Sequence, residues 1–168
     1  MIHVCSLAKI EETVARTGAD RMLSLLSVGT DVTRPASIAP ENHLHLVMHD
    51  IAVAQDGMTM PGEEHVRNLL DFAHRWDRAK PMVVHCYAGI SRSTASAFAA
   101  ACALNPHRDE IEIARQIRAR SAIASPNRLI VSLADRALGR EGRMLRALDE
   151  MGPGSMTVEG RPFQLDLD

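Results

Sequence analysis

A chain of 168 residues is one domain's worth of sequence, long enough to bury a core. Its 19 basic and 21 acidic side chains nearly cancel, which removes any global electrostatic case for nucleic-acid or membrane binding. Three cysteines make no disulfide framework. No apolar run approaches the ~20 residues that span a bilayer, and Met1-Ile2-His3-Val4-Cys5 lacks the basic start and longer apolar core of a signal peptide. The expectation is a soluble cytoplasmic protein.

Along the chain, strand and helix patterns alternate. Ile2 to Cys5 reads as a strand, Ala8 to Arg16 as a helix ended by Gly18, and Arg21 to Val28 as a core strand. Thr30 to Asn42, with two prolines, is a connection, and His43 to His49 alternates as a half-buried strand does. Pro61 and Glu63-Glu64 mark a helix start, after which Val66, Leu69, Leu70, Ala73 and Trp76 share one face. Pro81 to His85 is a short apolar run with two β-branched residues, read as a buried strand, and Ser93 to Leu104 is an Ala-rich helix. Asn105-Pro106 breaks the chain before helical patterns over Asp109 to Arg120, Asn127 to Leu138 and Met144 to Met151. The order predicts an α/β fold: a single three-layer domain over 1–151, with a central, mostly parallel sheet flanked by helices. A tail follows over 152–168, packed on the body or mobile.

Between the buried strand and the Ala-rich helix stands His85-Cys86-Tyr87-Ala88-Gly89-Ile90-Ser91-Arg92-Ser93. A loop between a strand's carboxyl end and a helix N-terminus is where ligands collect in α/β sheets. A thiol attacks only as its thiolate, and at that position Cys86 feels unpaired N–H groups and the positive end of the helix dipole. The same N–H groups, from Tyr87 through Arg92, can cradle a phosphate. Gly89 lets the loop wrap closely round the oxygens, and Arg92 offers a planar fork of donors for two of them. Ser93 can donate to the sulfur, and His85 is expected to shape the loop through a backbone hydrogen bond.

This stretch resembles the signature His-Cys-x5-Arg-Ser/Thr of the cysteine-dependent protein tyrosine phosphatase superfamily, and looks most like its compact dual-specificity-like branch. The segment Arg120-Ser121-Ala122-Ile123-Ala124-Ser125-Pro126-Asn127 is similar to the stretch before that branch's last major helix. There an asparagine after Ser-Pro braces the phosphate loop, a role the resemblance implies for Asn127. It further implies a phosphomonoester hydrolase with no metal and no cofactor: a phosphocysteine forms on Cys86 and water then hydrolyses it. Phosphorylated proteins or small phosphomonoesters are the implied substrates.

Such a reaction needs a general acid for the leaving oxygen, which the family places on an upstream loop just after a strand. The strand end selects Asp50, and the loop's length leaves Asp56 as the alternative. Two other functions compete: a phosphate- or phosphoprotein-binding module with little turnover, and a rhodanese-like sulfurtransferase, against which Arg92-Ser93 argues. His43, His45 and His49 alternate on one strand face, but no second cluster has metal-ligand spacing. Arg115, Arg118 and Arg120, and Arg136, Arg140, Arg143 and Arg146, read as solvated helix faces. Cys5 and Cys102 read as buried structural thiols.

Overall fold

The computed structural model describes residues 1–167. Four parallel strands, β1 (Ile2–Ser6), β2 (Arg21–Leu26), β3 (His43–Val47) and β4 (Met82–Cys86), lie in the spatial order β3-β2-β4-β1. The short β5 (Phe163–Leu165) joins the open edge of β1 antiparallel, Ile2 opposite Leu165. β1, β2 and β4 are buried along their whole length, as strands covered on both faces require, and their near-continuous apolar sequences reflect it. β3 lies at the other edge and is mostly solvent-facing, which its alternating sequence announces.

Helix α1 (Ile10–Thr17) ends at Gly18, whose φ of 67° is the left-handed cap that glycine adopts without penalty. With the connection that carries Ile38, α1 covers one face of the sheet over Cys5, Met22 and Val83. The opposite face carries α2 (Glu63–His74), α3 (Arg92–Leu104), α4 (Glu110–Arg120), α5 (Arg128–Ala137) and α6 (Arg143–Met151). The Ala-rich α3 runs through the middle of this layer, buried from Arg92 to Cys102 and touching α2, α4, α5 and β4. Its small side chains permit those close approaches on every side, and a helix apolar all round belongs in such a place. Asp109 caps α4 through Ile111 N at 2.7 Å, and Asn127 caps α5 through Leu129 N and Ile130 N, both at 3.1 Å.

Candidate active site

β1, β2 and β4 all deliver their carboxyl ends to one rim of the sheet, and the loop Tyr87–Ser91 leaves β4 there. Each carbonyl of the loop but one is held from outside. Leu7 N donates to Tyr87 O at 3.1 Å, Gly160 N to Ala88 O at 2.8 Å, Ser125 N to Ile90 O at 3.0 Å, and Asn127 N and Ala95 N to Ser91 O at 3.3 and 3.0 Å. The Thr94 hydroxyl adds bonds to Ile90 O and Ser91 O. A trans peptide is planar, with C=O and the following N–H pointing opposite ways. Holding these carbonyls outward therefore turns the amides of Ala88, Gly89, Ser91 and Arg92 toward the hollow of the loop. Gly89 has φ of 72°, and a Cβ on it would sit 2.8 Å from the Cys5 carbonyl carbon and from Ser6 N, so both its backbone and its packing exclude a side chain.

Cys86 is buried at the base of this cradle, its Sγ 3.1 Å from the Ser93 hydroxyl in the first turn of α3. The His85 ring bonds across the sheet to β2. Its Nε2 lies 2.6 Å from Ser24 Oγ on β2, and Ser24 Oγ is in turn 2.8 Å from His43 Nε2, so a side-chain relay runs from the loop's base to the sheet edge. The Nδ1 of His85 makes no hydrogen bond of normal geometry among the described residues. Burial pushes the His85 pKa down to about 4, although the adjacent Cys86 backbone works in the opposite direction.

Arg92 is buried beside Cys86 and anchored on one side only. Its Nη1 donates to Met48 O at 2.7 Å and to the Ser27 hydroxyl at 3.1 Å. Its Nε is buried without a partner among the described residues. A buried unsatisfied guanidinium N–H is costly, and an oxyanion over Cys86 is the group that would satisfy it.

Asp50, just past β3, reaches the loop. Its Oδ1 accepts from Ser91 Oγ at 2.8 Å and from Asn127 Nδ2 at 2.8 Å, while the residue itself stays exposed to solvent. His49 pairs with Thr59 through both its backbone N–H and its ring, which closes the intervening loop on itself. Asp56 lies out on that loop, exposed and in the turn closed by Met58 N on Gln55 O. Ser27, Met48 O and Ser24 are site residues that the sequence reading did not name.

The remaining candidates resolve into structural roles. Arg118 donates to the carbonyls of Ser121, Ala122, Ala124 and Gly152, which fixes the segment ahead of Asn127. Arg115 pairs with Glu150, Arg120 with Asp166, and the buried Arg140 with Glu110 at 2.6 Å. Arg143 adds a second, longer contact to Glu110. Cys5 and Cys102 are free, buried thiols, each pushed up to about 12 by burial. Cys5 packs with the α1 face of the sheet, whereas Cys86 belongs to the opposite core. The rings of His43 and His45 stack, and among the described residues no three His, Cys, Asp or Glu side chains are grouped to hold a metal ion. Nor, among them, is any helix long and apolar enough to cross a membrane.

A cysteine under a ring of inward amides, with a half-anchored arginine at its side, on a sheet of this topology, defines a cysteine-dependent phosphatase. The model of the protein-tyrosine phosphatase family matches residues 51–123, the stretch that holds β4, the loop and α3. Over that stretch the chain resembles the cysteine-dependent protein tyrosine phosphatases, and its fold has the build of their compact dual-specificity-like members. No curated protein matches it. Among solved structures it is similar to DUSP15, at 19% identity over 92% of this chain and 94% of that one, with a TM-score of 0.61. It is likewise similar to human DUSP28, at 17% identity over 83% and 92%, with a TM-score of 0.63. PTP-2 phosphatase of Cydia pomonella aligns at 17% identity over 80% and 84%, with a TM-score of 0.61. At these identities the likeness is one of fold. Neither the binding-only nor the sulfur-transfer reading is favoured.

Proposed function

We propose that the chain hydrolyses phosphomonoesters on proteins, phosphotyrosine foremost, through a phosphocysteine on Cys86. The carrying observation is the cradle itself: loop carbonyls held outward around a buried cysteine, and the buried, unpartnered Nε of Arg92 beside it. The amides of Tyr87 to Arg92 and the Arg92 fork hold the phosphoryl oxygens, so the acceleration comes mostly from positioning and charge stabilisation. The Cys86 thiolate attacks phosphorus, the S–P bond forms as the P–O bond breaks, and Asp50 gives its proton to the departing oxygen. Water then attacks the phosphocysteine while Asp50, now a carboxylate, takes a proton from it. The electron pair of the S–P bond returns to Cys86, where the Ser93 hydroxyl at 3.1 Å stabilises the sulfur.

Asp50 is preferred to Asp56 because it already bonds to Ser91 at the loop's edge, and its Oδ2 accepts no hydrogen bond among the described residues. Asn127 holds it there, and His85, at the end of β4, supports the loop through its bond to Ser24 on β2. The three thiols are unpaired and the nucleophile must stay reduced, which suits the cytoplasm. Tyr87, two-thirds exposed at the mouth, offers an aryl face to a protein or aryl-phosphate substrate.

The test is hydrolysis of p-nitrophenyl phosphate between pH 5 and 8, with EDTA and reductant, by wild type, Cys86→Ser, Asp50→Asn and Asp56→Asn. EDTA-insensitive turnover that vanishes in Cys86→Ser is expected. An inactive wild type that still binds phosphate would overturn the hydrolase reading in favour of a binding module.

A further inference from the structure

Apart from the first turn of α3, the donors that hold the phosphate-loop carbonyls come from three places: the turn after β1, the segment ahead of α5, and the stretch of chain beyond α6. The third follows no sequence signal for the site, yet it is fastened to the body at Gly152, Gly154, Ser155, Glu159 and Gly160. Arg118 holds Gly152 O at 2.8 Å, Gly154 N donates to Ser125 Oγ at 3.2 Å, and Ser155 N donates to Ala122 O at 3.0 Å. Glu159 accepts from the Ser6 hydroxyl at 2.5 Å, at the end of β1 and in register with Cys86. Gly160 N then donates to Ala88 O at 2.8 Å before the chain turns into β5.

Gly160 is buried against the outer wall of the loop. A Cβ built on it would lie 2.9 Å from Gly89 O, 3.0 Å from Ile123 Cδ1 and 3.3 Å from Ala88 O. Its N–H fixes the Ala88–Gly89 peptide from outside, and by planarity that peptide's own N–H, on Gly89, faces the cradle. We propose that the C-terminal segment is a working part of the phosphate loop, with Gly160 and Glu159 as positioning residues that aim the Gly89 amide at the bound oxyanion. This rests on the reading of the loop as a phosphate site. It makes oxyanion affinity depend on residues some seventy positions beyond the signature and touching no substrate.

Full-length Gly160→Ala, Glu159→Ala and Glu159→Gln separate this from a merely covering role. Tungstate affinity is read by calorimetry, kcat and KM on p-nitrophenyl phosphate, and Tm alongside. The added methyl of Gly160→Ala presses on the Gly89 carbonyl, and we expect tungstate affinity and kcat/KM to fall about tenfold together. Glu159→Ala should lose about fivefold, whereas Glu159→Gln, which keeps an oxygen for the Ser6 hydroxyl, should stay within about twofold of wild type. Should Gly160→Ala fail to fold, the Glu159 pair decides alone. Tungstate affinity unchanged in Glu159→Ala, and in Gly160→Ala where it folds, would overturn the proposal. A wild type that binds tungstate without hydrolysing ester would sink the hydrolase reading and leave this one to the tungstate comparison. A wild type that binds no tungstate would sink both.

Discussion

Asn127 donates its side-chain N–H to Oδ1 of Asp50 across 2.8 Å, while its own Oδ1 caps α5 through Leu129 N and Ile130 N. One side chain thus ties the loop after β3 to the helix that follows the Ser-Pro turn. Through its backbone N–H on Ser91 O, the same residue also touches the phosphate loop. The separation of Asp50 and Asn127 in sequence hides this, but the acid candidate and its brace form one unit with Ser91.

With Asp50→Asn, esters of poorly leaving alcohols should lose about 10²-fold or more in kcat, since protonation of the leaving oxygen is what such esters need. p-Nitrophenyl phosphate, whose leaving group needs little help, should lose less, and its rate should cease to depend on a protonated group. Asp56→Asn should stay near wild type on both. Equal losses on both esters would count against Asp50 as the acid.

Asn127→Ser separates the two jobs of Asn127. Serine caps helices nearly as well, whereas Asn127→Ala forfeits about 1 kcal/mol of cap stability. Neither variant can donate to Asp50 as the amide does. Thermal melts should show Asn127→Ser close to wild type and Asn127→Ala below it, with kcat reduced in both. Full activity in Asn127→Ser would show that the contact with Asp50 is dispensable.

Ser93→Ala removes the hydroxyl 3.1 Å from Cys86 Sγ. Its help matters most when the sulfur leaves phosphorus, so the second chemical step should slow while the first continues. Rapid-mixing assays with p-nitrophenyl phosphate should then show a burst of nitrophenol followed by a steady rate about tenfold lower. A slower rate with no burst would place the effect on the attack instead.

The strand–loop–helix around Cys86 was legible because its chemistry demands fixed offsets for Cys86, Gly89, Arg92 and Ser93, and because the apolar run before and the Ala-rich run after it are local signals. The other partners of Arg92 were not. Met48 contributes a backbone carbonyl, which leaves no mark in a sequence, and Ser27 is one serine among several. Ser24 did carry a signal, as a hydroxyl inside the otherwise apolar run Met22–Leu26 of a fully buried strand, where it needs a polar partner and finds His85. Arg118 looked like surface charge because sequence records the charge and not the carbonyls it bonds. β5 has only Phe163, Gln164 and Leu165, too few for any period, and exists because β1 offers an unpaired edge.

His85 should also make the fold acid-sensitive. Its ring is buried against Ser24, and desolvation, aided by the nearby His43, His45 and Arg92, pushes its pKa from the ordinary 6.5 down to about 4. Burial likewise lowers His3 and His43. Above pH 6.5 the ring is neutral in both folded and unfolded chains, and no penalty exists. Below it the unfolded chain gains a proton that the folded chain refuses, so stability falls as pH drops from 6.5 toward 4. A tenfold difference in proton affinity between the two states is worth about 1.4 kcal/mol, so His85 contributes about 3 kcal/mol across that window. Urea denaturation at pH 7, 5.5 and 4.5 should show the loss in wild type. His85→Asn, whatever its stability at pH 7, should show a flatter dependence, because the group that refuses the proton is gone. An equally steep fall in the variant would assign the acid sensitivity to other groups.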